Sequence, residues 1–320
     1  MTRTIVGVLR GGTSGEYDLS LKSGANIIAA LPEEKYETRD IFIDKRGMWH
    51  VRGIPTDPIR ALSHVDVVLN ALHGGVGEDG TVQRLLQRSG VRYAGSRPLG
   101  ASQSLNKNRA TSILRNAGLY VPQSAAYSLP SEQSTGEMAR DVFSHFGPPY
   151  IVKPFSEGAG HGIVIASTLE TLPDAIGDVL DQFGSALVQE FLRGDDATVG
   201  VIEGFRGQEL YTLPPAHVIL PQGSQFFSRD HHEQGLAQHV VPSNFSHETK
   251  GALEDAARRA HRALGMMHFS RADFIVTRGK PYILEVNAVP GLYDGASFPK
   301  MLEAVGSSTR EFLEHAIALA

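Results

Sequence analysis

The stretch Ser270–Gly291, with the sequence SRADFIVTRGKPYILEVNAVPG, decides the fold of this 320-residue chain. Two runs of strand-forming residues, Ala272–Thr277 and Pro281–Val286, flank the short polar segment Arg278–Lys280. Such runs on either side of a glycine-containing turn predict a β-hairpin, here with a three-residue turn centred on Gly279. Because alternate side chains of a strand point to opposite faces, the turn also determines which residues share a face.

One face of this hairpin is rich in oxygen ligands. The predicted register places Asp273 opposite Glu285, and it places Arg271 and Asn287 on the same face. The apolar side chains expected on the opposite face are those of Phe274, Val276, Leu284 and Val286. Two carboxylates and a carboxamide suit Mg²⁺, a hard cation that commonly binds carboxylates and substrate phosphates. An ordinary half-buried hairpin is the alternative, but the convergence of these residues before a Pro-Gly turn favours a metal site.

The composition is that of a globular protein and narrows the possible partners. Hydrophobic residues make up 41% of the chain and charged residues 20%, and the formal net charge is −5. This negative balance argues against general binding to nucleic acids or anionic membranes. The absence of cysteine excludes disulfides and thiolate metal sites. The N-terminal apolar run is too short for a signal peptide or a membrane span, so we expect a soluble cytoplasmic protein.

The first part of the chain alternates predicted strands and helices. Val65–Leu72 is a nearly continuous apolar run, as expected for a buried parallel strand. Glycine-rich loops follow the first strand, at 10–15, and this strand, at 73–80. Open α/β sheets bind ligands at the carboxyl ends of their strands, so both are candidate substrate loops. Much later, Pro221–Pro242 is polar and without a clear period, which we interpret as a mobile closing loop.

Two lysines are candidate phosphate ligands. Lys153 ends a predicted strand and precedes a loop that contains Gly158 and Gly162. Such a loop can bring backbone N–H groups onto phosphate oxygens, although an ordinary glycine-rich hairpin loop is the alternative. Lys107 lies in a helix predicted over Ser102–Ala117, and taken alone it would be a solvated surface lysine.

A strand predicted over Ala186–Leu192 is a candidate nucleotide-binding strand. Its end, Glu190–Leu192, could contact an adenine, and Asp196 could accept hydrogen bonds from ribose hydroxyls. Taken alone, this pattern also fits an ordinary strand.

Some of these motifs are individually weak signals, but their order along the chain is specific. They are a glycine-rich loop followed by Glu16, HGGVGEDGT at 73–81, Lys107, VKP with EGAGHG at 152–162, VQEFLRGDD at 188–196, and RADF with EVNAVPG at 271–291. In this order they resemble the D-alanine–D-alanine ligases of the ATP-grasp superfamily, from about Val6 to Gly306. The resemblance implies an α/β ATP-grasp fold with an N-terminal Rossmann-like (pre-ATP-grasp) domain. The expected regions are an N-terminal α/β substrate domain (1–96), a central ATP-grasp subdomain (97–185) and a C-terminal ATP-grasp subdomain with the metal site (186–320).

The resemblance also implies roles for individual residues. Those that match the family's ATP-binding groups are Lys107, Lys153, Glu157, Gly158, Gly162, Gln189, Glu190, Leu192 and Asp196. Those that match its magnesium ligands are Asp273, Glu285 and Asn287. Catalytic roles are implied for Glu16, which matches the acid that holds the first D-alanine's ammonium, and for Arg271 and the Gly291 N–H, which match the oxyanion-stabilising groups. The expected substrate-binding residues are Glu16, His73, Arg271 and Ser297.

The implied activity is ATP-dependent ligation of two D-alanines for peptidoglycan precursor synthesis. ATP phosphorylates the carboxylate of one D-alanine, and the amine of the second attacks the acyl phosphate. Two Mg²⁺ ions, or Mn²⁺ in their place, and two lysines would offset charge on the transferring phosphoryl group. The expected partners are therefore ATP and D-alanine, with a homodimer as a possible assembly and with neither nucleic acid nor membrane.

Some positions depart from the family pattern. Ala159 and Gly160 replace a serine pair, and the remaining replacements are Asn106 for aspartate, Gln189 for a glutamate that faces adenine, and Ala296 for serine. His231 and His232 lie about where the family has a lysine and a tyrosine, and histidines there could change charge near neutral pH. The histidines His231, His232, His239 and His247 also raise the possibility of a metal site, but without cysteine or a helical HxxxH spacing the sequence favours solvated surface histidines. The open alternatives for function are a ligase with D-lactate or D-serine as acceptor, and a nucleotide-binding protein with impaired turnover.

Overall fold

The computed structural model describes residues 3–221 and 237–320. The helices are α1 (Tyr17–Ala30), α2 (Pro58–Leu62), α3 (Thr81–Ser89), α4 (Pro98–Leu105), α5 (Lys107–Asn116), α6 (Thr135–His145), α7 (Leu172–Phe183), α8 (His247–Ala263), α9 (Ser297–Glu303) and α10 (Thr309–Leu319). The strands are β1 (Thr4–Gly11), β2 (Tyr36–Ile43), β3 (Trp49–Val51), β4 (Ile54–Pro55), β5 (Val67–Asn70), β6 (Arg92–Ala94), β7 (Ser124–Ser128), β8 (Tyr150–Lys153), β9 (Val164–Ala166), β10 (Ser185–Glu190), β11 (Asp195–Glu203), β12 (Leu210–Thr212), β13 (Ala216–Ile219), β14 (Gln238–Val240), β15 (Phe269–Thr277) and β16 (Lys280–Asn287). None of the helices in these two ranges has the length and apolar character needed to cross a membrane.

The first sheet organises the N-terminal part of the chain. Its strand order is β4-β3-β2-β1-β5-β6, and β2, β1, β5 and β6 run parallel. The predicted apolar strand is β5, which lies beside β1 at the centre of the sheet. Because the two strands are parallel, the loops after them meet at one edge, where the Ser14 hydroxyl donates to the His73 carbonyl at 2.5 Å.

The second sheet has the order β7-β10-β8-β9, and α6 and α7 pack on it around a separate core. The predicted boundary between residues 185 and 186 assigns β10 to the C-terminal region, and these domain bounds stay a prediction. Because β10 pairs with β7 and β8, we propose a boundary after Glu190. Sequence patterns do not reveal this, because distant strand partners are selected by tertiary packing.

The third sheet has the order β14-β13-β11-β15-β16, with β12 beside β11. Strand β14 lies within the predicted closing loop and pairs with β13, so this end of the predicted loop is an edge strand. The remainder of that loop, from 222 to 236, lies outside the described residues. Strand β13 and helix α9 had no clear sequence signal and were not predicted.

Hairpin β15–β16 has the predicted register at its polar face but a different turn. Asp273 pairs with Glu285 as predicted, whereas the turn consists of two residues, Arg278 and Gly279, with φ of 51° and 76°. Two-residue turns with positive φ at both positions match the twist of antiparallel strands. A β-bulge after Asp273 then skips Leu284 and restores the predicted register. As a consequence, Leu284 lines a cavity at the site and does not lie on the buried face where we predicted it.

The helix predicted over Ser102–Ala117 is in fact two helices, α4 and α5, which meet at Asn106. The Asn106 backbone is extended, and its side chain accepts a hydrogen bond from the Arg109 N–H at 3.0 Å, which caps α5. This break places Lys107 at the first position of α5, where its N–H donates to the Phe155 carbonyl at 2.7 Å. A lysine that looked solvated is therefore only 8% exposed, beside the glycine-rich loop after β8.

A shared core joins the first sheet to the C-terminal helices. Buried residues of β1 and β5 pack with those of α9 and α10, among them Phe298 and Phe312, whose ring centroids are 5.0 Å apart. This packing holds the carboxyl edge of the first sheet next to the segment between β16 and α9, which contains Gly291, one of the predicted catalytic residues.

Candidate active site

An arginine–carboxylate pair lies at the centre of the polar face of β15–β16. Arg271 donates from Nε and Nη2 to the two oxygens of Asp273, at 2.9 and 2.7 Å. Thr198 on β11 and Asn287 on β16 donate to the same carboxylate, at 2.6 and 2.9 Å, so its orientation is fixed. Burial lowers the pKa of Arg271, but the charge and hydrogen bonds of Asp273 outweigh it and raise that pKa above its usual value.

The second carboxylate of this face is held by lysines. Lys107 Nζ lies 3.2 Å from Glu285 Oε2 and donates to the Glu157 carbonyl at 2.6 Å. Burial raises the pKa of Glu285, but the neighbouring cations, Lys107 first among them, outweigh burial and hold it well below its usual range. Burial, together with the charge of Lys107, lowers the pKa of Lys153 to about 8. Two buried lysines beside one carboxylate leave positive charge that a phosphate group would offset.

The oxygen atoms of this face fit a hard divalent cation. Asp273, Glu285 and Asn287 supply two carboxylates and a carboxamide from one hairpin, which are ligands that Mg²⁺ accepts. In the part of the chain that the structure describes, no three His, Asp or Glu side chains converge as a metal site. A cation here would therefore complete its shell with the Asn287 oxygen, water and substrate phosphates, as Mg²⁺ commonly does. The assignment of these three residues as ligands stays a prediction.

A cavity of about 380 Å³ lies between the second and third sheets, next to this polar face. Apolar residues from both sheets line it, among them Ile151, Phe191, Leu192, Ile275 and Leu284. Lys107, Lys153 and Asp196 line it as well. Burial, and then the charge of Asp273, raise the pKa of Asp196 to about 7. Apolar walls combined with two cations and a carboxyl group suit a nucleotide with a planar base, a phosphate chain and a ribose.

Glu190 and Gln189 are neighbours on β10, but only the Glu190 side chain has a hydrogen-bond partner in the described ranges. Glu190 accepts a hydrogen bond from the Gln123 N–H at 2.8 Å, so its carboxylate ties β10 to the segment before β7. Gln189 lines the cavity and is only 2% exposed, and its Nε2 has no hydrogen-bond partner within the described ranges. Leaving a buried donor unsatisfied costs about 1–3 kcal/mol, so a ligand atom that accepts is expected beside Gln189.

The glycine-rich loop between β8 and β9 reaches the N-terminal sheet. A Cβ atom at Gly158 would collide with the Glu16 carboxylate, and one at Gly162 would collide with the ring of Phe183. Glu157 lines the nucleotide cavity, and its contact with ATP stays a prediction. The three predicted ATP-binding residues of this loop therefore have different surroundings. Glu157 lines the cavity, whereas Gly158 packs against Glu16 and Gly162 packs against Phe183.

Glu16 lies in a second cavity, of about 290 Å³, between the glycine-rich loops of the first and second sheets. Gly74 approaches its carboxylate so closely that a Cβ atom would collide with it. Burial raises the pKa of Glu16 to about 8, and the charges of Glu78 and Glu285 add to this effect. The group is thus largely protonated at pH 7, and a cation beside it would ionise it. A subsite for the ammonium group of a small substrate has these properties.

His73 joins the loop after β5 to the segment after β16. Its Nε2 lies 2.7 Å from Ser23 Oγ, and its Nδ1 lies 3.1 Å from the Val289 carbonyl. Glu78 makes a second link, because its carboxylate accepts from the N–H groups of Gly74 and Val289, at 2.7 and 3.1 Å. We had not predicted Ser23 or Glu78 as site residues, and the only sequence signal for Glu78 was its place in the HGGVGEDGT motif. The contact of His73 with substrate stays a prediction.

The segment after β16 places Gly291 beside Tyr293, a residue of the cavity lining. Gly291 is buried, and its N–H donates to no acceptor within residues 3–221 and 237–320. The ring of Tyr293 packs against Gly291, and Tyr293 lines the nucleotide cavity together with Arg271 and Ser297. A guanidinium and an unpaired N–H are groups that can stabilise a developing oxyanion, and this role of Arg271 and Gly291 stays a prediction.

Of the histidines in the predicted closing loop, the structure describes only His239. His239 is not a solvated surface residue, because it lines the cavity from β14. Burial, with the charges of Lys300 and Arg271, lowers the pKa of His239 to about 4. His231 and His232 lie outside the described residues. Thr198 and Tyr293 also lie in the site and were not predicted, since strand β11 and the segment after Gly291 carried no distinctive motif there.

Comparisons with known proteins show which family this chain and its fold resemble. The family model described as the D-ala D-ala ligase C-terminus matches residues 113–318, and the one described as the N-terminus matches 5–60 and 52–96. The D-alanine–D-alanine ligase of Desulforudis audaxviator is 33% identical over 316 residues, which cover 98% of each chain. D-alanyl-alanine synthetase A from Vibrio cholerae superposes with a TM-score of 0.88 at 25% identity, covering 99% of this chain and 98% of that one. The Bacillus anthracis D-alanine–D-alanine ligase in complex with ATP has a TM-score of 0.81 at 26% identity, with coverage of 99% and 97%.

Proposed function

We propose that this chain, which belongs to the D-alanine–D-alanine ligase family, uses ATP to join two D-alanines and releases ADP and phosphate. The product would be the dipeptide needed for peptidoglycan precursors. The observation that carries the proposal is the adjacency of three features: a nucleotide-sized cavity with two lysines, the Arg271–Asp273 pair and the Glu16 subsite. Together they supply a place for ATP, for the reacting carboxylate and for an ammonium group.

The first half of the reaction would take place where the cavity meets the polar face. Lys107 and Lys153 would bind the phosphates of ATP and offset the charge on the transferring phosphoryl group. Mg²⁺ held by Asp273, Glu285 and Asn287 would supply further charge neutralisation and alignment of the phosphate oxygens. The carboxylate of the first D-alanine attacks the γ-phosphorus, and ADP leaves with the bridging oxygen.

The second half would use the segment after β16. Glu16 would hold the ammonium of the first D-alanine, which fixes the position of its acyl phosphate. The amine of the second D-alanine attacks the acyl carbon, and the oxyanion that develops would lie beside Arg271 and the Gly291 N–H. The tetrahedral species then collapses, phosphate leaves with its oxygen, and the amine loses its proton.

Coupled ADP release with D-alanine alone, and with D-alanine plus D-lactate or D-serine, tests this function. We expect ADP release with D-alanine alone in the presence of Mg²⁺, with D-alanyl-D-alanine as the product. Release only with a second acceptor would assign the chain to a different ligase activity. ATP binding without release of ADP under any condition would indicate a nucleotide-binding protein with impaired turnover.

Binding of D-alanine to the Glu16 subsite should release a proton below pH 8. Burial raises the pKa of Glu16 to about 8, so at pH 7 the free site holds the neutral acid. The arriving ammonium favours the carboxylate, so the pKa falls and the proton leaves. The release should decrease to zero as the pH rises above 8, because the carboxylate is then already ionised, and affinity should rise with pH up to that point.

Calorimetry in buffers of different ionisation enthalpy measures this proton release, with a non-hydrolysable ATP analogue present. Glu16→Gln should remove the release and weaken D-alanine binding by about 10-fold or more, since a charged hydrogen bond is worth about 1.5–3 kcal/mol. Glu33→Gln, at an exposed position of the same region, is the matched control and should change neither. Equal proton release by the Glu16 variant and the parent would contradict the assignment.

We also propose a cytoplasmic location and a homodimer. The location follows from the substrates, which are ATP and a free amino acid. The dimer is supported by apolar side chains exposed on the N-terminal region, where Met48, Ile54 and Ile59 are 50%, 66% and 53% exposed. Sedimentation as a monomer at micromolar concentration would exclude the dimer.

A further inference from the structure

The carboxamide of Gln189 has a hydrogen-bonding group that the rest of the described chain leaves unused. Gln189 lies on β10, between Ser124 of β7 and Ile151 of β8, and it lines the cavity that we assign to ATP. Its Nε2 is buried and has no partner within the described residues. The side chain of Ile151, which lines the same cavity, cannot accept a hydrogen bond. The free donor therefore has to be satisfied by a ligand or by water in the cavity.

A carboxamide and a carboxylate recognise different substituents of a purine base. The 6-amino group of adenine donates hydrogen bonds, whereas the 6-oxo group of guanine or hypoxanthine accepts them. A carboxylate offers acceptors alone, so it pairs with a 6-amino group and repels a 6-oxo group. A carboxamide can present its oxygen to the first and, after a half-turn of the terminal torsion, its N–H group to the second.

We propose that Gln189 allows the base subsite to accept 6-oxopurine nucleoside triphosphates, such as ITP and GTP, in addition to ATP. This inference rests on the proposed function, since it concerns the nucleotide of the same reaction. A glutamate at this position, which the family pattern usually has, would hold the subsite to a 6-amino base.

The neighbouring groups do not restore the discrimination that a carboxylate would give. Glu190 is the nearest acid along the strand, and its carboxylate accepts the Gln123 N–H at 2.8 Å, on the connection to β7. The side chains of Ile275 and Leu284, which line the same cavity, are apolar and offer no hydrogen bond to the 6-position. Within the described lining, Gln189 is the polar residue of β10 with a buried side-chain donor that has no partner.

The test compares kcat/KM for ATP and ITP in the parent and in Gln189→Glu, at saturating D-alanine and Mg²⁺. ITP differs from ATP in the substituent at the 6-position and in the proton on N1. The effect of the N1 proton is the same in both proteins, so it cancels when their ATP-to-ITP ratios are compared. We expect the ratio of kcat/KM for ATP to that for ITP to rise at least about 10-fold in Gln189→Glu, because a hydrogen bond is replaced by a repulsive contact. An equal ratio in both proteins would overturn the proposal.

Two further proteins complete the test. Gln189→Met has a similar shape but no hydrogen-bonding group, and its ratio should lie between the other two. Gln208→Glu makes the same change at an exposed position outside the lining of the nucleotide cavity, and should leave the ratio at the parent value. If the parent turns over neither nucleotide, the proposed function fails, and calorimetric binding of ATP and ITP to the same proteins then decides the base preference separately.

Discussion

Replacing Glu285 by glutamine should reduce Mg²⁺-dependent ADP release by at least about 1,000-fold, equivalent to about 4 kcal/mol in activation free energy. Glu285 lies opposite Asp273 on the hairpin and 3.2 Å from Lys107, so it contacts both the proposed metal face and a proposed phosphate ligand. Glutamine keeps the shape of the side chain but removes the charge. The variant would lose a metal ligand and the group that orients Lys107.

A Mg²⁺ titration of ADP release in the parent and in Glu285→Gln measures this effect, and circular dichroism checks the fold. We expect a cooperative thermal transition at a lower midpoint, because Lys107 loses its counter-charge but keeps its hydrogen bond to the Glu157 carbonyl. Glu209→Gln is the matched control, since Glu209 forms an exposed ion pair with Arg262 and should not affect turnover. Turnover by the Glu285 variant within about tenfold of the parent would remove Glu285 from the metal site.

Hairpin β15–β16 shows which features of a site can be predicted from the alternation of polar and apolar residues along two strands. Period-two alternation and the glycine in the turn were enough to predict the pairing of Asp273 with Glu285. The two-residue turn and the bulge beside Leu284 were not predictable, because a one-residue change in the turn and a one-residue bulge compensate each other. Only tertiary packing distinguishes that combination from a regular hairpin with a longer turn.

Lys107 shows the opposite case, in which local sequence was misleading. Its position in an apparently continuous helix indicated a solvated lysine, and only the order of motifs suggested a phosphate ligand. The cap at Asn106 breaks the helix and directs the lysine toward the loop after β8. A capping asparagine in the middle of a helical pattern was the available signal, and reading it would have predicted the break.

The hydrogen bonds between the loops of the first sheet and the segment after β16 could not be predicted from the sequence. Glu78 and Val289 are separated by 211 residues, and no periodicity relates them. Their contact depends on the core shared by β1, β5 and the C-terminal helices, which places the two loops together. Motifs thus predicted the residues that would contact ATP and metal, whereas the residues that position those groups became visible only in the folded chain.

Replacing Arg271 by lysine should lower kcat by about 100- to 1,000-fold with a smaller change in KM for D-alanine, the range found for loss of one oxyanion-stabilising group. Arg271 uses Nε and Nη2 to hold Asp273, which leaves Nη1 for a substrate. Lysine keeps the charge but cannot form the paired contact and reach a second group at once. The loss should therefore fall on the step in which the oxyanion develops.

A phosphinate analogue of the tetrahedral intermediate separates this role from a structural one. If Arg271 stabilises the oxyanion, the inhibition constant of the analogue should rise in Arg271→Lys by about the same factor by which kcat/KM falls. Arg262→Lys, at the exposed ion pair with Glu209, should change neither quantity. A variant that loses turnover but binds the analogue as tightly as the parent would show that Arg271 acts through Asp273 alone, as a positioning residue for the metal face.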